Sequence, residues 1–303
     1  MTSVTKVGLI GLGAMGSGMA KSLRRAGHDV HVFDIRLEVA QQFAKDGGTA
    51  CATLAELGAA CDVVISVVVN AAQTESVLFG TEGSDSGCAA HMKPGSVFVM
   101  CSTVDPNWSV ALEARLEGMG LRYIDAPISG GAAKAASGQM TMMSAGKPEA
   151  YALAEPFLNA MAGKVYKLGN KAGAGSQVKI INQLLAGVHI AAAAEAMALG
   201  LREGVDAAAL YEVITHSAGN SWMFENRMAH VLAGDYTPLS AVDIFVKDLG
   251  IVLDVARASK FPLPLSSTAH QMFMQASTAG HAKEDDSAVI KIFPGIELPK
   301  GPA

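Results

Sequence analysis

The first 100 residues alternate between short β-branched runs and segments of helical periodicity. This alternation is typical of right-handed β-α-β crossovers, which build a parallel sheet with helices on both faces. Val63–Val69 is apolar almost throughout, so we predict a central strand covered on both sides. The predicted strands are Val4–Ile10, Asp29–Phe33, Val63–Val69, Ser96–Met100, Leu121–Asp125, Met140–Ser144 and Val165–Leu168. The helices predicted between the early strands are Met15–Ala26, Leu37–Asp46, Leu54–Leu57 and Gln73–Leu78.

The pattern changes after Gly169. A small-residue break, 171–175, precedes one long predicted helix, Ser176–Glu203, and no later run is typical of a strand. We therefore predict an α/β domain over residues 1–168 and an all-helical domain over residues 169–303, joined through the long helix. The further predicted helices are Ala207–Thr215, Ser221–Leu232, Ala241–Ser259 and Leu265–Thr278.

A G-x-G-x-x-G motif, Gly11 to Gly16, follows the first predicted strand and opens the first predicted helix. In that context the glycines permit a tight turn and let backbone N–H groups approach a pyrophosphate, and the helix N-terminus favours its negative charge. Asp34 ends the second strand, where an acidic side chain can bind the adenosine ribose hydroxyls. We predict a Rossmann-type dinucleotide-binding domain; the alternative is a doubly wound domain that binds another nucleotide.

Asp34 also bears on the choice of cofactor. A carboxylate at this position repels a 2′-phosphate and favours NAD, whereas Arg36, two residues later, could hold that phosphate. We predict NAD and regard NADP as the less favoured cofactor. The cofactor-binding residues predicted in these two loops are Gly11, Leu12, Gly13, Ala14, Met15, Gly16, Asp34, Ile35 and Arg36.

Three further loops follow predicted strands, and ligands of such sheets lie at the carboxyl ends of the strands. Val68, Val69 and Asn70 are predicted to line the cofactor, and Thr103 follows the next strand with a hydroxyl near the nicotinamide end. Ser129-Gly130-Gly131 offers consecutive backbone N–H groups that could hold a carboxylate. The alternative for each loop is an ordinary turn, because serine and glycine are common turn residues.

Composition excludes several classes of protein. Half of the residues are hydrophobic, which excludes a disordered chain, and 23 Lys plus Arg against 28 Asp plus Glu argue against nucleic-acid binding. The four cysteines are too widely spaced for a zinc ribbon or a disulfide scaffold, and we expect a reducing, cytoplasmic location. We predict no signal peptide, no membrane span and no metal site, because we find no suitable apolar segment or cluster of ligand residues.

Lys179 lies within the long predicted helix and shares one face with Asn182 and Gln183. A lone helical lysine is most often a solvated surface residue, and the residue pattern alone cannot decide between that role and a catalytic one. The pair Lys247-Asp248 lies within a largely apolar helical run, and its simplest interpretation is a surface ion pair.

Together these segments resemble the β-hydroxyacid dehydrogenase family along nearly the whole chain. The resemblance is carried by Gly11–Gly16, Asp125–Gly131, Gly173–Asn182 and Lys247–Leu249. It implies that Lys179 is the catalytic lysine, that Asn182 orients the substrate, and that Ser129, Gly130 and Gly131 bind the substrate carboxylate. It also implies contacts from Thr103 and Lys247 at the nicotinamide end. Lys179 would accept the hydroxyl proton while NAD takes the hydride.

Four further stretches, 189–197, 219–227, 240–249 and 283–291, resemble the L-threonate dehydrogenase branch of this family, whose members oxidise a four-carbon sugar acid at C2. Ser240 stands where some family members carry Phe, and we interpret it as a polar substrate contact. The alternatives are 3-hydroxyisobutyrate dehydrogenase or tartronate semialdehyde reductase and, more remotely, a non-catalytic nucleotide-binding module. The apolar helical domain further predicts a homodimer or homotetramer.

Overall fold

The computed structural model describes residues 5–81 and 87–300. Contacts between Cα atoms divide the chain into two compact units, Met1–Lys179 and Ile180–Ala303, which are described separately below. The division at residue 179 lies inside one long helix, whereas the sequence predicts a domain boundary near residue 168; that boundary stays a prediction. Val4, the first residue of the first predicted strand, lies outside the described residues.

The first unit is built on a sheet whose strands follow the order β3-β2-β1-β4-β5-β6-β8-β7, with β9 paired to β8. The strands from β3 to β6 in this order run parallel, whereas β8 is antiparallel to both β6 and β7. The strands are β1 Val7–Ile10, β2 Val30–Phe33, β3 Thr49–Ala50, β4 Val63–Ser66, β5 Val97–Met100, β6 Arg122–Asp125, β7 Ile128–Ser129, β8 Met140–Gly146 and β9 Ala162–Lys167.

Strand β4 shows how the sheet is covered. Val63 and Ile65 pack into the core on one face, together with Met19 of the first helix. Val64 packs into a second core on the other face, together with Leu112. Alternate residues of one strand are therefore buried on opposite sides, which confirms the prediction of a doubly wound α/β domain.

Seven α-helices lie wholly within the described residues of the first unit, together with a 3₁₀ helix at Cys88–His91, and the sequence predicted four of the seven. Helix α5 was missed although Asp105 caps it and Pro106 occupies its first position, both of which are recognised start signals. Helix α7 was also missed; it begins at Pro148, but a second proline, Pro156, lies inside it and interrupts the helical pattern. The helices are α1 Gly16–Arg25, α2 Leu37–Lys45, α3 Leu54–Ala60, α4 Ala71–Phe79, α5 Pro106–Gly118, α6 Gly131–Ser137 and α7 Pro148–Met161.

The predicted strand Val63–Val69 ends earlier than expected, at Ser66. Val67 still donates its backbone N–H to Ile10, but Asn70 then caps α4 through its side chain. Val68 and Val69 lie between these two features and leave the sheet despite their β-branched side chains. The two short strands β3 and β7 were not predicted, because two residues are too few to show a period.

Helix α8, Ala174–Arg202, begins in the first unit and continues into the second, as predicted within two residues at its start. The second unit contains α9 Ala207–Thr215, α10 Trp222–Ala233, α11 Val242–Ala258 and α12 Pro264–Ala276, followed by a 3₁₀ helix at Asp286–Ile292. Its described residues contain one isolated β-bridge, Ala241 to Asp285, and no strand. The all-helical C-terminal domain is confirmed. Its core includes Ile190, Met228, Phe245, Phe273 and Val289.

Helix α8 is long and apolar enough to cross a membrane by length and composition, with a mean hydropathy of 1.7 in its most apolar window. Core helices of soluble proteins have the same properties, and 44% of that window is buried inside the fold. The helix is therefore weak evidence for a membrane span. All four cysteines are free and buried, and the cytoplasmic location expected from them stays a prediction.

Candidate active site

The glycine-rich loop joins β1 to α1. Gly11 has a φ of 92°, and a Cβ atom there would lie 2.8 Å from the carbonyl oxygen of Val67. A Cβ on Gly16 would overlap the carbonyl oxygen of Gly11, whereas one on Gly13 would project into open space. Two of the glycines are therefore required by the turn itself, and Gly13 keeps clear the space beside the N-terminus of α1. This cradle fits a dinucleotide pyrophosphate.

Asp34 lies just after β2 and is 7% exposed. Its carboxylate accepts the backbone N–H of Leu12 at 2.7 Å and that of Arg36 at 2.9 Å. The guanidinium of Arg36 lies 3.4 Å from the same carboxylate and is mostly exposed, while the Ile35 side chain between them is 92% exposed. The predicted adenosine-binding residues therefore surround one end of the glycine-rich loop.

The loops after β4 and β5 are held together by Ser102. Its hydroxyl donates to the carbonyl of Val68 at 2.7 Å and lies 3.3 Å from the hydroxyl of Thr74. Val69 is half-exposed beside this contact, and Thr103 follows Ser102 directly. The predicted cofactor-lining residues of these two loops thus lie at one edge of the sheet. The sequence suggests that the Ser102 hydroxyl, like that of Thr103, lies near the nicotinamide end, and its observed contacts are with Val68 and Thr74.

Ser129 ends β7, and the two glycines after it both have positive φ, 134° at Gly130 and 75° at Gly131. A Cβ on Gly130 would lie 2.8 Å from the Lys134 side chain, whereas one on Gly131 would meet no atom within 4 Å. Gly131 also begins α6, a helix that the sequence did not reveal. The glycines therefore allow a reversal of the backbone that leaves the space over Gly131 open.

Helix α6 packs on α1, which carries the glycine-rich loop at its start. A Cβ on Gly18 would lie 2.6 Å from the backbone nitrogen of Ala136, so the two helices approach closely. The hydroxyl of Ser22 donates to the carbonyl of Ala135 at 3.0 Å. This packing fixes the Ser129-Gly130-Gly131 loop relative to the proposed cofactor cradle within the first unit.

Lys179 lies in α8 and is 7% exposed, so the solvated-surface interpretation does not apply to it. Ser176, one turn earlier, donates its hydroxyl to the carboxylate of Asp125 at 2.7 Å and its backbone N–H at 2.9 Å. Both contacts lie in the first unit and tie the start of α8 to the end of β6. The sequence did not single out the side chains of Asp125 and Ser176, although both belong to the stretches that carry the family resemblance.

In the second unit, a chain of hydrogen bonds connects α8 to α11. The amide of Asn182 donates to Gln183 at 3.0 Å, and Gln183 donates to Asp248 at 2.6 Å. The ammonium of Lys247 lies 2.5 Å from the other Asp248 oxygen. Asp248 is 1% exposed, so the surface-pair interpretation of Lys247-Asp248 is wrong for the aspartate. The apolar run around it was visible in the sequence, but a Lys-Asp pair on a helix is more often exposed than buried.

Ser240 precedes α11, and its hydroxyl bonds to the buried carboxylate of Asp286. Burial raises the pKa of Asp286 to about 6, and the adjacent Arg227 guanidinium, which pairs with it, opposes that shift. The Ser240 hydroxyl thus already has a partner inside the second unit. Its predicted contact with substrate stays a prediction.

The described residues contain no group of three or more His, Cys, Asp or Glu side chains that could hold a metal ion. The predicted site residues of the first unit instead combine open backbone, two hydroxyls and a buried lysine. The absence of a metal requirement stays a prediction, since it concerns the reaction.

Comparison with known proteins gives matches along nearly the whole chain. Residues 6–169 match the family model for the NAD binding domain of 6-phosphogluconate dehydrogenase. Residues 173–293 match that for NAD-binding of NADP-dependent 3-hydroxyisobutyrate dehydrogenase. The N-terminal region is therefore an NAD(P)-binding domain.

Individual relatives agree with the family models. The chain is 70% identical to an L-threonate dehydrogenase of Cupriavidus necator, over 97% of each chain. It is 33% identical to the mitochondrial 3-hydroxyisobutyrate dehydrogenase of Mus musculus, over 96% of this chain and 88% of the other. A crystal structure of 3-hydroxyisobutyrate dehydrogenase from Salmonella typhimurium matches with a TM-score of 0.90 and 52% identity, covering 95% of this chain and all of the other. The chain belongs to the 3-hydroxyisobutyrate dehydrogenase family of β-hydroxyacid dehydrogenases, oxidoreductases that act on CH–OH groups.

Proposed function

We propose that this protein oxidises L-threonate to 2-dehydro-L-erythronate with NAD. The observation that carries the proposal is the 70% identity, over 97% of each chain, with an L-threonate dehydrogenase. A specific observation favours a second candidate, because the structural relative with a TM-score of 0.90 is described as a 3-hydroxyisobutyrate dehydrogenase. Both substrates are small hydroxy acids, so both fit the same proposed site.

The proposed catalytic residue is Lys179. Its side chain is buried and would accept the substrate hydroxyl proton as the general base. Asn182, one turn later in α8, would hold that hydroxyl in line for transfer. The open backbone at Ser129, Gly130 and Gly131 would hold the substrate carboxylate. Bound NAD supplies the hydride acceptor.

We propose NAD rather than NADP because of Asp34. Its carboxylate is anchored by two backbone N–H groups at the end of the glycine-rich loop, so it cannot turn away from a 2′-phosphate without breaking them. Arg36 is the competing feature, but its guanidinium faces the same carboxylate. The relative rates with NAD and NADP test the preference, and Asp34→Ser should shift it toward NADP.

We also propose a homodimer formed through α8, with a tetramer as the alternative. Ile181, Leu185 and Leu199 are more than half exposed and recur on one face of the helix. In a two-fold dimer, the commonest kind of oligomer, this stripe would pack against the same stripe of the second copy. Light scattering coupled to gel filtration tests this, and Leu185→Glu should yield monomers.

The first experiment follows NADH formation at 340 nm with NAD and L-threonate, D-threonate, 3-hydroxyisobutyrate or D-glycerate. A rate confined to L-threonate supports the proposed substrate. A higher rate with 3-hydroxyisobutyrate than with L-threonate would favour the second candidate, 3-hydroxyisobutyrate dehydrogenase. A higher rate with glycerate would favour a tartronate semialdehyde reductase. No rate with any of the four would contradict both candidates.

The catalytic assignment is tested with Lys179→Ala. We expect kcat to fall by about 10²- to 10⁴-fold, the typical contribution of a general acid–base group, while NADH affinity stays unchanged. Lys171→Ala is the matched control, since Lys171 precedes the same helix and is exposed. Full activity in Lys179→Ala would remove Lys179 from the mechanism.

A further inference from the structure

We propose that Asp125 is a positioning residue, whose carboxylate holds the first turn of α8 against the sheet and thereby sets the location of Lys179. The proposal rests on the proposed function, because it takes Lys179 as the acid–base group. All of the contacts that carry it lie within the first unit.

The Asp125 carboxylate caps the N-terminus of α8 from a distant part of the chain. One oxygen accepts the backbone N–H groups of Gly173 and Ser176, each at 2.9 Å. The other oxygen accepts the Ser176 hydroxyl at 2.7 Å. The first N–H groups of a helix have no partner within the helix, and a negative charge there is favoured by the helix dipole. A residue 51 positions away along the chain therefore satisfies the start of the helix that carries the lysine.

The loop before α8 is shaped for this contact. A Cβ on Gly175 would overlap the carbonyl oxygen of Met143 and lie 2.8 Å from that of Asp125. Gly173 has a φ of 96°, which disfavours other residues. The glycines thus let the first turn of α8 rest directly on the carboxyl end of β6 and on β8. Glu113 holds the same loop, accepting the Ala172 N–H at 3.3 Å.

The arrangement fixes more than local stability. Lys179 lies three residues after Ser176, less than one helical turn, so any tilt or fraying of the first turn moves the lysine directly. A displacement of about 1 Å at a reacting group can cost about 10²-fold in rate. Both Asp125 and Ser176 are fully buried. Exposure to solvent therefore does not account for two polar residues at this position.

The test uses the full chain and two variants of different severity. Ser176→Ala deletes one hydroxyl and keeps both backbone contacts, whereas Asp125→Ala deletes all three. Ser144→Ala is the matched control, because Ser144 is equally buried in β8 and its hydroxyl donates to the Tyr166 carbonyl in β9 and accepts from the Tyr151 hydroxyl in α7, each at 2.8 Å. Each variant is measured for kcat and KM with L-threonate, for NADH affinity, and for amide hydrogen exchange over residues 174–179.

We expect Ser176→Ala to lower kcat by about 10- to 100-fold with KM and NADH affinity within about twofold, and to speed exchange over residues 174–179. Asp125→Ala should lower kcat and speed exchange more than Ser176→Ala does, and Ser144→Ala should change neither kcat nor exchange. In a Lys179→Ala background, Ser176→Ala should lower kcat no further, because it acts through the lysine.

Two results would overturn the positioning role. In the first, Lys179→Ala is inactive, but Ser176→Ala and Asp125→Ala both leave kcat unchanged or both leave hydrogen exchange unchanged. In the second, Ser176→Ala lowers kcat by the same factor in the Lys179→Ala background as in the wild type. Failure of the proposed function has a different signature. In that case Lys179→Ala itself keeps full turnover, whatever the exchange data show for Asp125.

Discussion

The carboxylate of Asp34 accepts the backbone N–H of Leu12, 22 residues earlier, at 2.7 Å. This bond joins the end of β2 to the glycine-rich loop after β1. Asp34 thus has a structural contact in addition to its proposed contact with the ribose. Because its second oxygen binds the N–H of Arg36, the side chain is oriented before any cofactor arrives.

Asp34→Ala should therefore weaken NADH binding by about 10- to 100-fold, corresponding to about 1.5–3 kcal/mol for the loss of a hydrogen bond to a charged group. The dissociation constant from fluorescence titration measures this. Asp46→Ala, an exposed aspartate at the end of α2, serves as the control. Equal affinities for the wild type and Asp34→Ala would show that the carboxylate does not contribute to binding.

The glycines of the cofactor loop should separate folding from binding. Gly13→Ala adds a methyl group to open space, so we expect unchanged thermal stability but weaker NADH binding. Gly16→Ala forces a clash with the Gly11 carbonyl and should also cost about 1–3 kcal/mol of stability. Calorimetry and NADH titration report the two quantities. Gly118→Ala, at another glycine with open space around it, should leave NADH binding unchanged, and normal NADH binding by Gly13→Ala would argue against a pyrophosphate beside this loop.

The pH dependence of stability should reveal the burial of Asp125. Burial raises the pKa of this carboxyl, and hydrogen bonds from Ser176 and Gly173 only partly oppose the shift. A raised folded-state pKa contributes stability below the unfolded value, about 3.9, which is lost as the pH rises through the folded value. The stability of the wild type relative to Asp125→Asn should therefore fall as the pH rises from about 4.

Urea denaturation of both proteins across this pH range measures the difference. Asp125→Asn is the suitable reference because it keeps the size of the side chain and does not titrate. A relative stability that instead increases with pH would mean that the hydrogen bonds outweigh the cost of burial and lower the pKa.

The four cysteines should be unreactive in the folded protein. Burial raises the pKa of Cys51 to about 11 and the pKa values of Cys61, Cys88 and Cys101 to about 12. At pH 8 the thiolate fraction is then very small, and the thiolate is the reactive form. Ellman's reagent should modify none within minutes in buffer and all four in urea. Lys171→Cys supplies an exposed thiol as the control, and rapid labelling of the wild type would contradict the burial.

Much of the candidate site could be predicted because its signals are local. Gly11, Gly13 and Gly16 follow an apolar strand and precede a helix, and their spacing in that context implies the turn. The long helix α8 was predicted nearly to its ends because its apolar residues recur at helical spacing. Helix α5 was missed although Asp105 and Pro106 signal its start, so that error was one of interpretation rather than of missing information.

Burial could not be predicted for charged residues, because it depends on distant parts of the chain. Lys179 and Asp248 are both of a residue type that is usually exposed, yet both are buried. The contact of the Ser240 hydroxyl with Asp286, 46 residues away along the chain, could not be read from the sequence either, and its predicted contact with substrate stays a prediction.

The sequence by itself determined the two-part architecture and the place of the cofactor loop, since strand–helix alternation and glycine spacing act over a few residues. The tertiary structure alone decided how the start of α8 is held. Asp125 and Ser176 are 51 residues apart and carry no pattern that connects them. They meet because β6 ends where the glycine-rich start of α8 can rest on the sheet, and a carboxylate buried there is stable only when several donors reach it at once.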